Sequence, residues 1–237
     1  MTALATILKS GANELGIALS PNAVAAFGAY YRLLDAENHR QNLTALSGVD
    51  EIARLHFLDS LALLRFAAFD AARVIDIGSG AGFPGLPLKI AVPSIDLTLL
   101  DATDKRVQFV ENLCAELEVP AECLHARAEE LAHEPQYRES YDIVVSRAVA
   151  RLPELCELCL PFVKPGGVFL AMKSADSDTE IAESRTAIET LGAEFPPSCA
   201  DYTIPGGDLR RVVVIRKVSP TPATYPRRFA KIKRSPL

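Results

Sequence analysis

Residues Val74 to Leu88 read VIDIGSGAGFPGLPL, an apolar run that passes into glycines at 78, 80, 82 and 85 and then into a helix-like segment. Glycine at those positions lets the backbone turn sharply and come close to a ligand. A strand, a glycine-rich turn and a helix N-terminus in succession build a site for an adenine-containing cofactor. About twenty residues past the turn, a second apolar run, Ile95 to Leu100, ends in Asp101. A carboxylate there accepts hydrogen bonds from ribose hydroxyls, or alternatively caps the helix that opens at Asp104-Lys105-Arg106-Val107.

Two cofactor classes compete for this turn. The string Gly80-Ala81-Gly82-Phe83-Pro84-Gly85 satisfies the dinucleotide fingerprint G-x-G-x-x-G. That fingerprint sets its first glycine at the end of the strand, whereas here the match starts two residues late, behind Gly78. The strand instead carries Asp76 at its C-terminal end. A carboxylate there suits a cofactor with a cationic sulfonium and an ammonium group, and suits a pyrophosphate poorly. The pattern Asp76-x-Gly78-x-Gly80-x-Gly82 resembles motif I of the class I S-adenosylmethionine-dependent methyltransferases. Asp101 fits both cofactors and does not choose between them.

The elements that must position this turn follow from hydrophobic periodicity. Residues 2 to 38 and 49 to 69 read as helical, with Val24, Phe27, Tyr30, Tyr31, Leu34 and then Ile52, Leu55, Leu58, Leu61, Leu64 in step. From residue 72 apolar strands alternate with helices: Val74–Ile77, Leu97–Leu100, a short one near Cys123–His125, Tyr141–Ser146 and Val168–Met172. That alternation predicts a parallel sheet flanked by helices. Lys164-Pro165-Gly166-Gly167 is a type II turn signal, a helix is expected over Asp176 to Leu191, and Ile204-Pro205-Gly206-Gly207-Asp208 is hairpin chemistry between the last two strands. A five-stranded parallel sheet closed by a hairpin, with Lys-Pro-Gly-Gly before the fifth strand, is also similar to the class I methyltransferases. A dehydrogenase still needs a substrate domain, and after residue 218 only a short basic segment remains.

Composition bounds the rest. A chain of 237 residues, 49% hydrophobic, suffices for one sizeable α/β domain and an appendage without disulfides. No apolar stretch is long enough to span a membrane, and the N-terminus MTALATILKSGANELG lacks the features of a signal peptide, so a cytoplasmic protein is expected. Five cysteines, an odd number, argue for reduced thiols. Cys156 and Cys159 form a C-x-x-C pair inside an apolar helical pattern, which predicts buried core thiols and no metal site. The chain holds 25 basic and 30 acidic residues, yet Arg210 to Leu237 carries nine basic residues and no acid. Tyr225, Phe229 and Ile232 interleave with those charges, and the reading is a nucleic-acid contact, with a solvated tail as the bland alternative.

Absences narrow the acceptor. The fourth strand ends in Ser146-Arg147-Ala148-Val149, without the Asn/Asp-Pro-Pro-aromatic loop of amino-group methyltransferases, and no cysteine follows a proline as in cytosine-C5 enzymes. An acceptor that already presents a lone pair, such as a ring nitrogen or an oxygen, is left. Guanine N7 is exposed and needs no base to remove a proton, so catalysis there is mostly proximity and alignment.

Asn42-Leu43-Thr44-Ala45, His56-Phe57-Leu58-Asp59-Ser60-Leu61, Val74 to Leu88, Val145-Ser146-Arg147-Ala148 and Tyr225-Pro226-Arg227-Arg228 together resemble the glucose-inhibited division protein B (RsmG) family of bacterial 16S ribosomal RNA guanine-N7 methyltransferases. The resemblance covers nearly the whole chain. It implies S-adenosyl-L-methionine as cofactor, and as substrate a guanosine in the decoding-region loop of 16S rRNA or the small ribosomal subunit. It implies cofactor contacts at Gly78, Phe83, Asp101, Ala102, Thr103, Ala128, Glu129 and Arg147. Glu129 reads alternatively as a helix N-terminal charge. Glu37-Asn38 replaces the Trp-Asn pair frequent in the family, and Arg228 to Lys233 replaces its usual glycine–proline pattern. Acceptor-side contacts are expected at Asn42, Lys173, Arg210, Arg227 and Arg228. His56 and Asp59, a helical turn apart, either orient the base or pin the N-terminal helices to the catalytic domain. No residue is assigned as catalytic.

The expected architecture is a class I methyltransferase: α/β, Rossmann-like, a mostly parallel seven-stranded sheet with a terminal hairpin and an N-terminal helical extension. Residues 1–70 form the helical segment, 71–218 the methyltransferase domain and 219–237 a basic tail, in a monomer that binds no membrane. The alternatives are a methyltransferase acting on another RNA, a protein or a small molecule, and a nucleotide-cofactor oxidoreductase.

Overall fold

The computed structural model describes residues 3–237, except the side chain of Gln41. The predicted first helix divides in two, α1 (Ala3–Glu14) and α2 (Pro21–Gln41). Gly16 at φ +76° ends the first, and Ser20, whose Oγ accepts from the Ala23 N–H at 3.1 Å ahead of Pro21, starts the second. The stretch 49–65 is helical throughout but irregular: α3 (Val49–Glu51), a π-helical segment Ile52–Leu58, α4 (Asp59–Leu61) and a 3-10 turn Ala62–Arg65.

Seven strands then form one sheet: β1 (Arg73–Ile77), β2 (Asp96–Asp101), β3 (Glu122–His125), β4 (Tyr141–Arg147), β5 (Val163–Ser174), β6 (Ser198–Thr203) and β7 (Leu209–Arg216). The order is β3-β2-β1-β4-β5-β7-β6; the first five strands run parallel, and β7 lies antiparallel between β5 and β6. Helices α5 (Gly85–Ala91), α6 (Asp104–Glu116), α7 (Ala128–Leu131), α8 (Leu152–Cys159), α9 (Asp178–Glu183), α10 (Arg185–Thr190) and α11 (Phe229–Arg234) complete the chain. The helix expected over 176–191 is thus two, parted at Ser184, whose Oγ donates back to the Glu180 carbonyl at 2.7 Å. Gly166, at φ +90°, takes the third position of the predicted type II turn, which is embedded in β5 where the pairing with β4 shifts register.

The sheet separates two cores. On one face Val74, Leu97, Leu99, Ile143 and Leu170 pack with Leu8, Phe27, Tyr30, Leu34 and Phe57, so the N-terminal helices share this core with α5 and α6. On the other, Ile75, Val144, Phe169 and Ile215 pack beneath α8 and α10, with Cys156 and Cys159 fully buried among them. None of the described helices is long and apolar enough to cross a membrane.

Residues 219–237 do not form a loose basic tail. Arg138 donates to the carbonyls of Thr221 (2.8 Å) and Tyr225 (2.9 Å), and buried Lys217 donates to Leu160 O (2.9 Å) and Thr221 Oγ1 (2.6 Å). Arg227 is fastened to Glu157, and Ile232 is fully buried in the second core. The apolar residues spaced among the charges are the sign of docking: Ile232 is in the core, while Arg228, Lys231, Lys233 and Arg234 face out.

Candidate active site

β1 delivers the chain to the glycine turn, and three carboxylate and carbonyl groups fix the turn's shape. The N–H groups of Gly78 and Ser79 both donate to Leu100 O at the end of β2, at 2.8 and 3.0 Å. Asp101 accepts from Gly80 N–H through Oδ2 at 3.0 Å and from Thr103 N–H through Oδ1 at 2.8 Å. It therefore ties the turn to the start of α6, whose N-cap position is held by Thr103. Tyr30 reaches in from α2 and donates to Ala81 O at 2.5 Å. Gly78 sits at φ +74°, and a Cβ there would lie 2.4 Å from Val149 Cγ2, so only glycine leaves the turn and the loop after β4 in contact.

These elements enclose a cleft of about 390 Å3 at the C-terminal edge of the strands. Gly78, Phe83, Asp101, Ala102, Thr103 and Arg147, six of the expected cofactor contacts, line it together with Leu43, Thr44, His56, Arg106 and Val149. Ala128 and Glu129 do not. They begin α7, and Glu129 accepts from Arg127 Nε at 3.1 Å and lines a separate recess of about 470 Å3 with His133, Arg228 and Phe229. Asp76 is not part of the lining either. It is wholly buried behind the turn, where Oδ2 accepts from the Gly85 N–H at 2.7 Å. Its role in the turn is that of a brace, because its burial keeps the carboxylate from meeting a cofactor face to face.

A second cleft of about 460 Å3 adjoins the first, and His56, Arg147 and Ala148 line both. Its other walls are Leu46, Leu55, Asp59, Met172, Lys173, Ser174 and Arg210. Arg147 is the post between the two. Its Nη1 donates to Leu55 O (2.9 Å) and Asp59 Oδ2 (3.2 Å), its Nη2 donates to His56 Nδ1 (2.7 Å), and its guanidinium lies 5.2 Å from the centre of the Phe83 ring. Phe83 is stacked between Tyr30 (5.2 Å) and His56 (4.2 Å). Tyr202, from β6, donates to Asp59 Oδ1 at 2.6 Å. His56 and Asp59 thus tie the π-helical segment and α4 to β4 and β6 through Arg147 and Tyr202.

The protonation states follow from these partners. A guanidinium has only donors, so His56 Nδ1 accepts and Nε2 carries the proton, which it gives to Thr44 Oγ1 at 2.8 Å. Burial and, after it, the Arg147 charge push His56 down to about 3, leaving a neutral ring with both nitrogens occupied. Burial raises Asp59, against the opposing pull of Arg147. No group in either cleft is placed as a free general base.

The remaining expected acceptor contacts divide. Lys173 and Arg210 line the second cleft, but the Lys173 ammonium is already bound by Ala150 O and Glu180 Oε1, both at 2.8 Å. Asn42 lines neither cleft: at φ 50° it closes α2, its N–H donating to Asn38 O, while the next two residues, Leu43 and Thr44, reach the cofactor side. Arg227 is a buried clamp on Glu157, and Arg228 is exposed on the opposite helical layer. Tyr202 escapes a reading of the sequence because its partner Asp59 lies 143 positions away, and Val149 carries no local signal of its contact with the glycine turn.

A sheet of this order, with a glycine turn after β1, a carboxylate after β2 and a cleft over both, defines a class I S-adenosylmethionine-dependent methyltransferase. The same fold is found in a SAM-dependent methyltransferase from Aquifex aeolicus, at TM-score 0.53 and 16% identity over 73% of this chain and 96% of that one. A putative O-methyltransferase from Klebsiella pneumoniae matches at TM-score 0.56 and 16% identity over 81% and 90%. The family model GidB, rRNA small subunit methyltransferase G, matches residues 23–199, and the chain belongs to that family. Proteins named ribosomal RNA small subunit methyltransferase G from Acetivibrio thermocellus and Pelotomaculum thermopropionicum are each 41% identical to it, over 99% and 100% of this chain and 97% and 100% of theirs. The protein is an enzyme and S-adenosylmethionine is its cofactor.

The residues present fit that cofactor. The turn is bare of side chains where a Cβ at Gly80 would meet nothing within 4 Å, and Asp101, though both oxygens accept backbone N–H groups, keeps lone pairs free for ribose hydroxyls.

Proposed function

We propose that this enzyme methylates N7 of a guanosine in the decoding-region loop of 16S rRNA. The observation that carries the reading is the pair of clefts meeting at His56, Arg147 and Ala148, one a cofactor cradle and the other open and cationic, with no free base between them. When bound, the cofactor supplies an electrophilic methyl group on a sulfonium. The protein's part is to hold the acceptor in line with it, because N7 attacks with a lone pair and has no proton to lose. Arg147 is kept rigid by three acceptors and so sets the distance between the clefts, and Arg210 gives the second cleft charge to take a nucleotide. Exposed Arg228, Lys231, Lys233 and Arg234 on and before α11 offer a further contact to the RNA backbone.

Small-subunit particles from cells lacking this protein, incubated with it and methyl-labelled S-adenosylmethionine, are expected to gain one label that digestion recovers as 7-methylguanosine. Label in another nucleoside, in ribosomal protein or in small molecules alone overturns the proposal.

A further inference from the structure

Asp76 is the one ionisable group at the cofactor turn whose surroundings do not fit a permanent charge. Its Oδ2 accepts the Gly85 N–H, but Oδ1 has no hydrogen-bond partner at all, although the side chain is fully buried. Among the described residues only one other buried side-chain atom, Ser177 Oγ, is left so. A buried carboxylate oxygen without a donor is unstable as an anion, while a carboxyl with one proton tolerates the site. Only Ile77 separates Asp76 from Gly78, which lines the cofactor cleft.

We propose that Asp76 gives up a proton when the cationic methyl donor enters the cleft and takes it back when the neutral product replaces it. The proposal rests on S-adenosylmethionine being the cofactor. Donor and product, S-adenosylhomocysteine, share the adenosine, the carboxylate and the titratable amino group, and differ in the sulfonium charge. The sulfonium also makes the donor's own ammonium more acidic, so the two ligands differ in proton exchange by themselves, and Asp76 reports in the part of the difference that depends on its carboxyl. The charged and titratable groups facing Asp76 are Arg147 from β4, Asp101 from β2, Tyr30 from α2 and Cys159 from α8. Arg147 favours the anion and Asp101 opposes it, and burial outweighs both, holding the carboxyl at about 7. The group is thus poised where a modest added field decides its state.

The magnitude follows from linkage. If the donor's charge weakens proton binding tenfold, the low end for a nearby opposite charge, about 0.4 proton leaves at pH 7 and donor affinity rises about fivefold between pH 6 and pH 8. The product shows neither effect through Asp76, so the preference for donor over product rises with pH.

Calorimetric titration of the full chain with S-adenosylmethionine and with S-adenosylhomocysteine, in buffers of different ionisation enthalpy, reads the protons directly. The expected result is a release with the donor that falls by about 0.4 proton at pH 7 in Asp76→Asn, which keeps an acceptor for the Gly85 N–H, while the exchange with the product is unchanged. A difference in proton exchange between the two ligands that is the same in Asp76→Asn as in the unsubstituted protein overturns the proposal. Should that variant fail to fold, carboxyl-labelled aspartate in the unsubstituted protein answers by NMR: one buried carboxyl must change from protonated to ionised with the donor alone, and its failure to do so overturns the proposal. A chain that binds neither ligand would instead refute the cofactor assignment.

Discussion

Arg227 distinguishes a charge that holds the fold together from one that holds RNA. Its guanidinium meets Glu157 through Nε at 2.8 and 3.1 Å and Nη2 at 2.6 Å, and the acid's side chain is 0% exposed against 15% for the arginine. Removing one partner of a buried pair leaves a charge in low dielectric and costs about 3–5 kcal/mol. Arg227→Ala belongs at the low end, because the backbone N–H of residue 227 also donates to Glu157 Oε1, at 2.7 Å, and survives the substitution. A loss of about 3 kcal/mol is a sizeable part of the roughly 5–15 kcal/mol typical of a domain. For a chain of this size it lowers Tm by about 6–12 °C.

The assay is thermal and urea unfolding followed by circular dichroism, beside RNA binding at two salt concentrations. Arg227→Ala should lower Tm, whereas Glu157→Met with Arg227→Met should recover most of the loss, since no charge is then stranded. A phosphate ligand behaves in the opposite way, costing RNA affinity and leaving stability within the range of about 0.5 kcal/mol usual for surface changes. If Arg227→Ala melts with the unsubstituted chain, the clamp is wrong and the nucleic-acid reading of this residue returns.

Three further outcomes follow from the same geometry. Gly78→Ala places a methyl group against Val149 at φ +74°, so S-adenosylmethionine affinity by calorimetry should fall at least tenfold, the φ alone costing about 1–3 kcal/mol; Val149→Ala should restore only part of it. Burial holds Lys217 down to about 8, against 10.5 for an ordinary lysine, so between those values the unfolded chain binds more protons and stability should rise with pH. Urea unfolding across that window should lose this rise in Lys217→Met. Replacing Lys231, Lys233 and Arg234 together by alanine should flatten the dependence of log RNA affinity on log salt by about 0.7–0.9 for each phosphate no longer neutralised, and an unchanged slope removes α11 from the RNA interface.

How far the sequence reaches into this site depends on how far apart the interacting groups stand. The turn, the strand before it and Asp101 are legible because each is defined by neighbours within a single β–α–β unit, and the hairpin at 204–208 by its own glycines and proline. Asn42, expected as an acceptor contact, carries a second local signal: an asparagine directly after a helix whose last turn holds His39 and Arg40 is a left-handed closing residue. The post between the clefts has no such signal. Arg147 meets partners 88 to 92 positions away and Tyr202 meets Asp59 across 143, so neither pattern nor composition could join them. The partner of Arg227 is illegible for a related reason, since a run of basic residues counts charges without asking which are paired with an acid 70 positions earlier. The acidic residue in β1 is the reverse case. Its position is legible and its state of charge is not, because a formal charge in a motif says nothing of solvent, and here full burial pushes the Asp76 carboxyl up. Motif spacing thus locates a carboxyl, but only its surroundings decide whether it arrives charged.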